Sequence, residues 1–417
     1  MKIKYAILIF LLVWKTAARA DRFEYDGIRY VGETVRTFKV NEGGELNALH
    51  LIGDVSIEGA PGNEVVVTEK FKIDAYSEIS ARQILESDKA QIEQRGNTIQ
   101  IVDDERSRRY TSDYEIKVPQ KFNLAVHTSG GDINLTEVSG NQKLNTSGGD
   151  IEITRASGTL KANTSGGDIR LRRATGDLNA VTSGGDVEIS ECAGALIAHT
   201  SGGDIVMREN KVTGEATTSG GDIVIVRLIG KEFRAHTSGG DVKTEQTEGP
   251  LSLTTSGGDI EVNETYGPLK VHTSGGDINI RKADSNVEAS TSGGDIIAEG
   301  VTGKINARTS GGNVEAYKVL RKGVNDHSIT METSGGSVVL YLPADMPASI
   351  DAEVKLTRYS DKRGSIKSDY PLKVVRTERG STMYITATGN INNGGSPVRL
   401  RTTNGDIRII KISGDKK

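Results

Sequence analysis

The tetrapeptide Thr-Ser-Gly-Gly occurs twelve times in this chain of 417 residues, and ten of those copies continue into aspartate. The aspartates are Asp132, Asp150, Asp168, Asp186, Asp204, Asp222, Asp241, Asp259, Asp277 and Asp295, eighteen residues apart except for nineteen between Asp222 and Asp241. Asn313 keeps the register, and TSGGS at Thr333 to Ser337 closes the series after a longer gap. A short fixed period of this kind describes stacked units, none of which buries a core alone. It also raises a question. Like charges repeated at one point of successive turns repel, so something must offset the column or use it.

Within a period, the residue after the aspartate is Ile or Val in every copy, from Ile133 to Ile296. The residue two further on is mostly aliphatic (Leu135, Ile153, Leu171, Ile189), and the position between carries Asn134, Glu152, Arg170 or Glu188. Alternation with period two is a strand with one buried face. Glycine eight residues after the aspartate, as at Gly140, Gly158 and Gly176, marks a second turn in eight of the ten periods. On the return, Leu160, Ala162 and Thr164 share one face.

These patterns predict an all-β fold, a single-stranded parallel β-solenoid of about eighteen residues per coil, with capping segments at both ends. Coils would stack about 4.8 Å apart, and right-handed winding is expected, as for most parallel crossovers. The left-handed hexapeptide helix uses coils of similar length, but its apolar positions recur every six residues, and these do not. By parity the threonines of TSGG face inward as a ladder, and the aspartates face outward. The paired glycines are expected where a side chain would clash or φ must be positive.

Two unit charges about 4.8 Å apart repel by about 0.9 kcal/mol in bulk water, and less in salt. One offset is local hydrogen bonding, with each carboxylate taking glycine N–H groups of its own turn. The other is calcium, as in Gly- and Asp-rich nonapeptide rolls. Only one edge of each coil carries aspartate, however, which leaves such sites short of carboxylates. No cofactor is expected, with calcium as the alternative.

Four histidines, His127, His199, His236 and His272, share one repeat position but never on coils adjacent in sequence, which suits surface filling. Cys192, the only cysteine, falls where other coils place Val138, Ala156 and Ala174, and reads as a small core residue. Ile197, Val206 and Val224 read as outward-facing and suggest a small apolar contact patch. No nucleophile elbow, zinc spacing or phosphate loop is legible, so no enzymatic activity is expected. Inward threonines and mixed charged columns do not suit ice binding. A net charge of −4 spread through the sequence leaves no nucleic-acid footprint.

Residues 1–20 read as a secretory signal: Lys2 and Lys4, the apolar run Tyr5 to Trp14, and small residues at Ala18 and Ala20. The mature chain would hold no transmembrane segment, and export to the periplasm, cell surface or medium is expected. Residues 21–123 read as a β-rich cap, 124–313 as the regular array and 314–417 as irregular coils with a second cap. In the first cap, Val65 to Ile73 reads as a strand, Ser77 to Ser87 as a helix and Gln91 to Val102 as a hairpin. In the last segment, Ser334 to Leu356 reads as strand, turn, strand; Arg358 to Pro371 as an exposed polar loop; and Val398 to Ile410 as a final coil.

The order of these motifs resembles the bacterial "putative adhesin" family of domains of unknown function. The residues that carry the likeness are Gly53 to Val55, "IKVP" at Ile116 to Pro119, the TSGGDI series, Leu342-Pro343 and Gly405 to Ile407. The chain departs from that family in the regularity of its coils. The resemblance implies an exported, non-catalytic, adhesin-like protein of the cell envelope whose partner is an envelope protein or a surface polysaccharide. A periplasmic structural or envelope-stress scaffold and a calcium-dependent module are the alternatives.

Overall fold

The computed structural model describes residues 22–103, 109–357 and 364–413. The leader reading at 1–20 lies outside the described residues. The chain forms two compact units that divide between Thr146 and Ser147.

The second unit holds most of the regular coils. Each contributes one strand to each of two facing parallel sheets. In the GDI sheet, Ile169–Arg172 pairs with Ile151–Thr154 on one side and Val187–Ser190 on the other, with Ile169 opposite Ile151 and Val187. In the return sheet, Thr175–Val181 pairs with Ser157–Asn163 and Ala193–His199, so that Leu160, Leu178 and Leu196 stack. The register repeats at the sequence period, and each column therefore holds one residue type. The core lies between the sheets, where Ile169, Leu171, Leu178 and Ala180 are all buried. β-branched side chains fit a pleated surface buried on one face, which is why the first position of each GDI strand admits only Ile or Val.

Between the two strands, Arg155, Arg173, Glu191, Glu209 and Arg227 adopt left-handed φ of 55–58° without being glycine. In these coils the second turn bends at a charged residue, which in four of the five stands three positions before the glycine that signalled it. Gly176 (φ 119°) has its own reason, since a Cβ there would lie 2.1 Å from the Gly158 carbonyl oxygen. In one coil the strand continues through the bend at Glu209, so that Ile205–Thr217 pairs first in one sheet and then in the other.

At its far side the second unit is not built in sequence order. The strand Ser396–Thr403 lies between Ile329–Thr333 and Ala348–Leu356. Ile407–Ile412 likewise lies between Val338–Pro343 and Ile366–Ser368. The closing coil is slotted into the stack, with chain made before it on both sides. The return sheet then continues antiparallel through Thr382–Ile391 and Lys373–Arg379. Of the loop expected over 358–371, residues 358–363 lie outside the described residues, and the remainder is corrected. Ile366–Ser368 is a strand, and Tyr370 is buried with its hydroxyl donating to the Leu342 and Pro343 carbonyls.

The first unit is interleaved in the same way. Val55–Ala60 lies between Tyr110–Pro119 and Ile133–Thr136 in the GDI sheet. Glu45–Leu51 lies between Thr98–Val102 and Asn123–Thr128 in the return sheet. The predicted strand is Glu64–Ile73, the hairpin is Gln91–Arg95 with Thr98–Val102, and the helix is Glu78–Asp88, capped by Ser77. The GDI sheet extends antiparallel through Glu64–Ile73, Tyr30–Lys39 and Arg22–Tyr25. The helix packs Ala81 and Leu85 over Phe71, Ile73 and Tyr110 of that extension. Beside this cluster Glu69 is buried and accepts the Tyr110 hydroxyl at 2.5 Å. Burial holds its carboxyl above the usual range.

Candidate functional site

The aspartate column answers the question raised by the repeat. The N–H of Asp168 donates to Oδ1 of Asp150 at 2.8 Å, and Asp186 does the same to Asp168. The chain of bonds continues through Asp204, Asp222, Asp241, Asp259, Asp277 and Asp295 at 2.7–2.8 Å. The main-chain carbonyl of each aspartate meanwhile accepts from the preceding coil, as in Ile169 N–H to Asp186 O. At this corner the backbone turns away from its ladder, and the carboxylate serves the N–H that the turn would strand.

This corrects the expected partner. The carboxylates bond the aspartate N–H of the next coil and not the glycines of their own turn. The glycines are served otherwise: Gly167 N–H donates to Thr164 Oγ1, and Gly166 N–H to the Ser147 carbonyl. A hydrogen bond to a charged group contributes roughly 1.5–3 kcal/mol, which exceeds a repulsion of about 0.9 kcal/mol between neighbours. The bonds along the column outweigh the repulsion between neighbouring carboxylates.

The threonines form the inward ladder that parity predicts. Thr164 Oγ1 donates to the Gly149 carbonyl at 2.8 Å, and Thr182 does so to Gly167. The two glycines of each turn differ. A Cβ on Gly203 would lie 2.2 Å from the Gly185 oxygen, whereas on Gly202 it would meet nothing nearer than 3.5 Å. The expectation for the pair is thus refined: the second glycine is imposed by coil stacking, and neither has positive φ.

In the first unit the column follows spatial order. Asp54 donates its N–H to Asp113 Oδ1, and Asp132 donates to Asp54 Oδ1. Asp113 carries no motif and was invisible to a search by period. At the other end Asn313 bonds Asp295, Ser337 bonds Asn313 and Asp406 bonds Ser337, each through its N–H.

With Oδ1 engaged, Oδ2 is left at the surface. Arg170 spans two coils, 3.0 Å from Asp150 Oδ2 and 2.6 Å from Asp168 Oδ2. Lys243 stands 3.9 Å from Asp241. Asp186, Asp204, Asp222, Asp259, Asp277 and Asp295 have no ion pair among the described residues. Among those residues no group of three or more His, Cys, Asp or Glu could hold a metal ion.

The other columns sort as follows. Cys192 is buried, and burial pushes its thiol up. His127 departs from the expected isolation. His50 lies beside it, ring centroids 6.4 Å apart, because Glu45–Leu51 stacks on Asn123–Thr128 out of sequence order. The apolar patch does not form. Val206 and Val224 are neighbours in the GDI sheet, but Ile197 belongs to the return sheet. Lys318 escaped the sequence reading. It is fully buried opposite Val301, where the register slips, and its ammonium donates to the Thr302 and Gly303 carbonyls. Burial pushes its pKa down to about 7.

The match to known families falls on the coils themselves. The model named Toastrack DUF4097 matches residues 52–235 and 175–299. The chain belongs to the Toastrack DUF4097 family. That assignment agrees with the β-solenoid of minimal coils and with the family resemblance read from GDV, IKVP and the GDI series. Among curated proteins nothing matches. Solved structures similar to this DUF4097 chain include a "putative cell adhesion protein" of Clostridium sporogenes, at 10% identity over 91% of this chain and 99% of that one, TM-score 0.16. A "putative adhesin" of Parabacteroides merdae has 11% identity over 77% and 99%, TM-score 0.24. Another, of Bacteroides fragilis, has 10% over 91% and 97%, TM-score 0.18.

Proposed function

We propose that this DUF4097 protein is an exported, non-catalytic interaction protein of the bacterial cell envelope, adhesin-like in action. The observation that carries the reading is the column of carboxylates. From Asp186 to Asp295, Oδ1 atoms build the stack on coils about 4.8 Å apart, while Oδ2 of Asp186, Asp204, Asp222, Asp259 and Asp277 has no ion pair among the described residues; Asp241 Oδ2 faces Lys243, and Asp295 Oδ2 accepts from Asn313. Such an array favours many weak contacts with a repetitive partner, a surface polysaccharide or an envelope protein. The signal-like segment at 1–20 supports export.

The test is protease added to intact cells, with a known periplasmic protein as the protected control. Cleavage is the expected result. Protection that ends only when the outer envelope is opened would overturn the surface reading in favour of a periplasmic scaffold.

A further inference from the structure

The two extended sheets at the ends of the chain are finished differently. In the first unit, the apolar face of the antiparallel extension is covered by the helix Glu78–Asp88. In the second unit, the return sheet runs two strands beyond Ala348–Leu356, while the GDI sheet stops at Ile366–Ser368. On the outermost strand, Lys373–Arg379, every residue is exposed. Its residues Val374, Arg376 and Glu378 lie opposite Ala387, Ile385 and Met383. Ala387 and Ile385 are buried, which identifies this as the core face continued. Yet Val374 is 52% and Met383 38% exposed. The core face of the return sheet overhangs at its margin, where Val374 and Met383 are exposed although Ile385 and Ala387 beside them are buried.

Among the described residues the outer edge of the same strand is also unpaired. Arg379 and Thr382 flank a two-residue turn at Gly380 and Ser381. That pair therefore exchanges hydrogen bonds within the hairpin, as do Thr377 and Val375 with their partners. The N–H and carbonyl groups of Val374, Arg376 and Glu378 point to the free edge. An incoming antiparallel strand must bond to those three.

We propose that this edge pairs with the same edge of a second copy of the chain, in an antiparallel register centred on Thr377. Hydrogen-bond parity permits only centres on single residues. A centre on Arg376 sets the guanidinium against itself, and a centre on Val375 opposes no charges. The centre on Thr377 places Arg376 opposite Glu378 of the partner subunit, and by symmetry does so twice. It opposes no like charges, and it joins the two overhanging faces around Val374 and Met383. Directly opposed cross-strand pairs of opposite charge are favourable and like pairs unfavourable. A contact of one strand edge is small for a stable dimer, so the association is concentration-dependent.

The experiment is sedimentation velocity on the purified chain over a dilution series, with Arg376→Glu, Glu378→Arg and the double exchange. A monomer–dimer equilibrium is expected, weakened on the order of tenfold by either single change and restored by the double one. All four residues of the symmetric pair sit on an exposed strand, and circular dichroism confirms that each variant is folded. A wild-type chain that stays monomeric at the highest concentration overturns the proposal. So does a dimer indifferent to the single exchanges, or one that the double exchange fails to rescue.

Discussion

Every coil turns twice, and the two turns obey different rules. At the TSGGD corner the same five residues recur from Thr128 to Asp295. At the opposite corner the chain reads VSG, ASG, ATG or CAG, then NKV with no glycine, then adopts GP at Gly249-Pro250 and Gly267-Pro268. The first corner couples coils through side chains. Threonine bonds the glycine carbonyl of the coil before, aspartate bonds the N–H of the coil after, and the second glycine admits no Cβ. Each residue has a partner in a neighbouring copy of itself, so a change in one coil disturbs two. The second corner needs mainly that the chain reverse and that one small residue face the core. Several backbone solutions meet that need, including left-handed arginine and glutamate.

The sharpest way to break this contrast is at the glycines. Gly203→Ala is expected to destabilise by about 3 kcal/mol or more, because the Gly185 carbonyl cannot retreat without moving a whole coil. Urea unfolding of the two single variants compares it with Gly202→Ala, which is expected to stay within about 1 kcal/mol of the parent. Equal costs would mean that the corner as a whole, and not the stacking distance, selects glycine. Next comes the column itself. Asp204→Ala leaves the Asp222 N–H without its acceptor and should cost about 1.5–3 kcal/mol. Asp204→Asn keeps an oxygen in place and removes repulsion, so a change below about 1 kcal/mol is expected. A large loss with Asn would show that the charge itself is required, as a bound cation would demand.

A separate effect concerns pH and Lys318, near the variable corner. Its folded pKa of about 7 lies below the ordinary 10.5 of the unfolded chain. Between those values the unfolded state binds more protons, so stability rises with pH across that window and is flat below it. Denaturation midpoints measured from pH 7 to pH 10 should rise, and Lys318→Met should flatten the rise. An unchanged slope in that variant would assign the dependence elsewhere.

Much of this was legible without coordinates because a repeat fixes register. Once Ile169 is placed under Val187, parity assigns Leu171, Thr164 and Asp168 to their faces. Hydrogen bonds between coils were not legible, since a period says which residues stack but not which atom of one meets which atom of the next. The ends were legible only as elements. The helix and hairpin follow from local patterns at Ser77 to Val102, but the interleaving that puts Asp113 beside Asp54 and His50 beside His127 is set by long-range pairing. The overhanging Lys373–Arg379 strand has no motif at all, since its character comes from the missing layer opposite it.

The slotted coil also bears on how such a chain changes length over evolutionary time. Ser396–Thr403 and Ile407–Ile412 are made last yet are held between strands made earlier. A duplication or loss at that end would have to rethread the interlock. A duplication between Asp168 and Asp204 merely repeats a surface already complementary to itself, with carboxylate, glycine and threonine all meeting their usual partners. Copy number is therefore free to drift in the middle, while the two ends are inherited as fixed fittings.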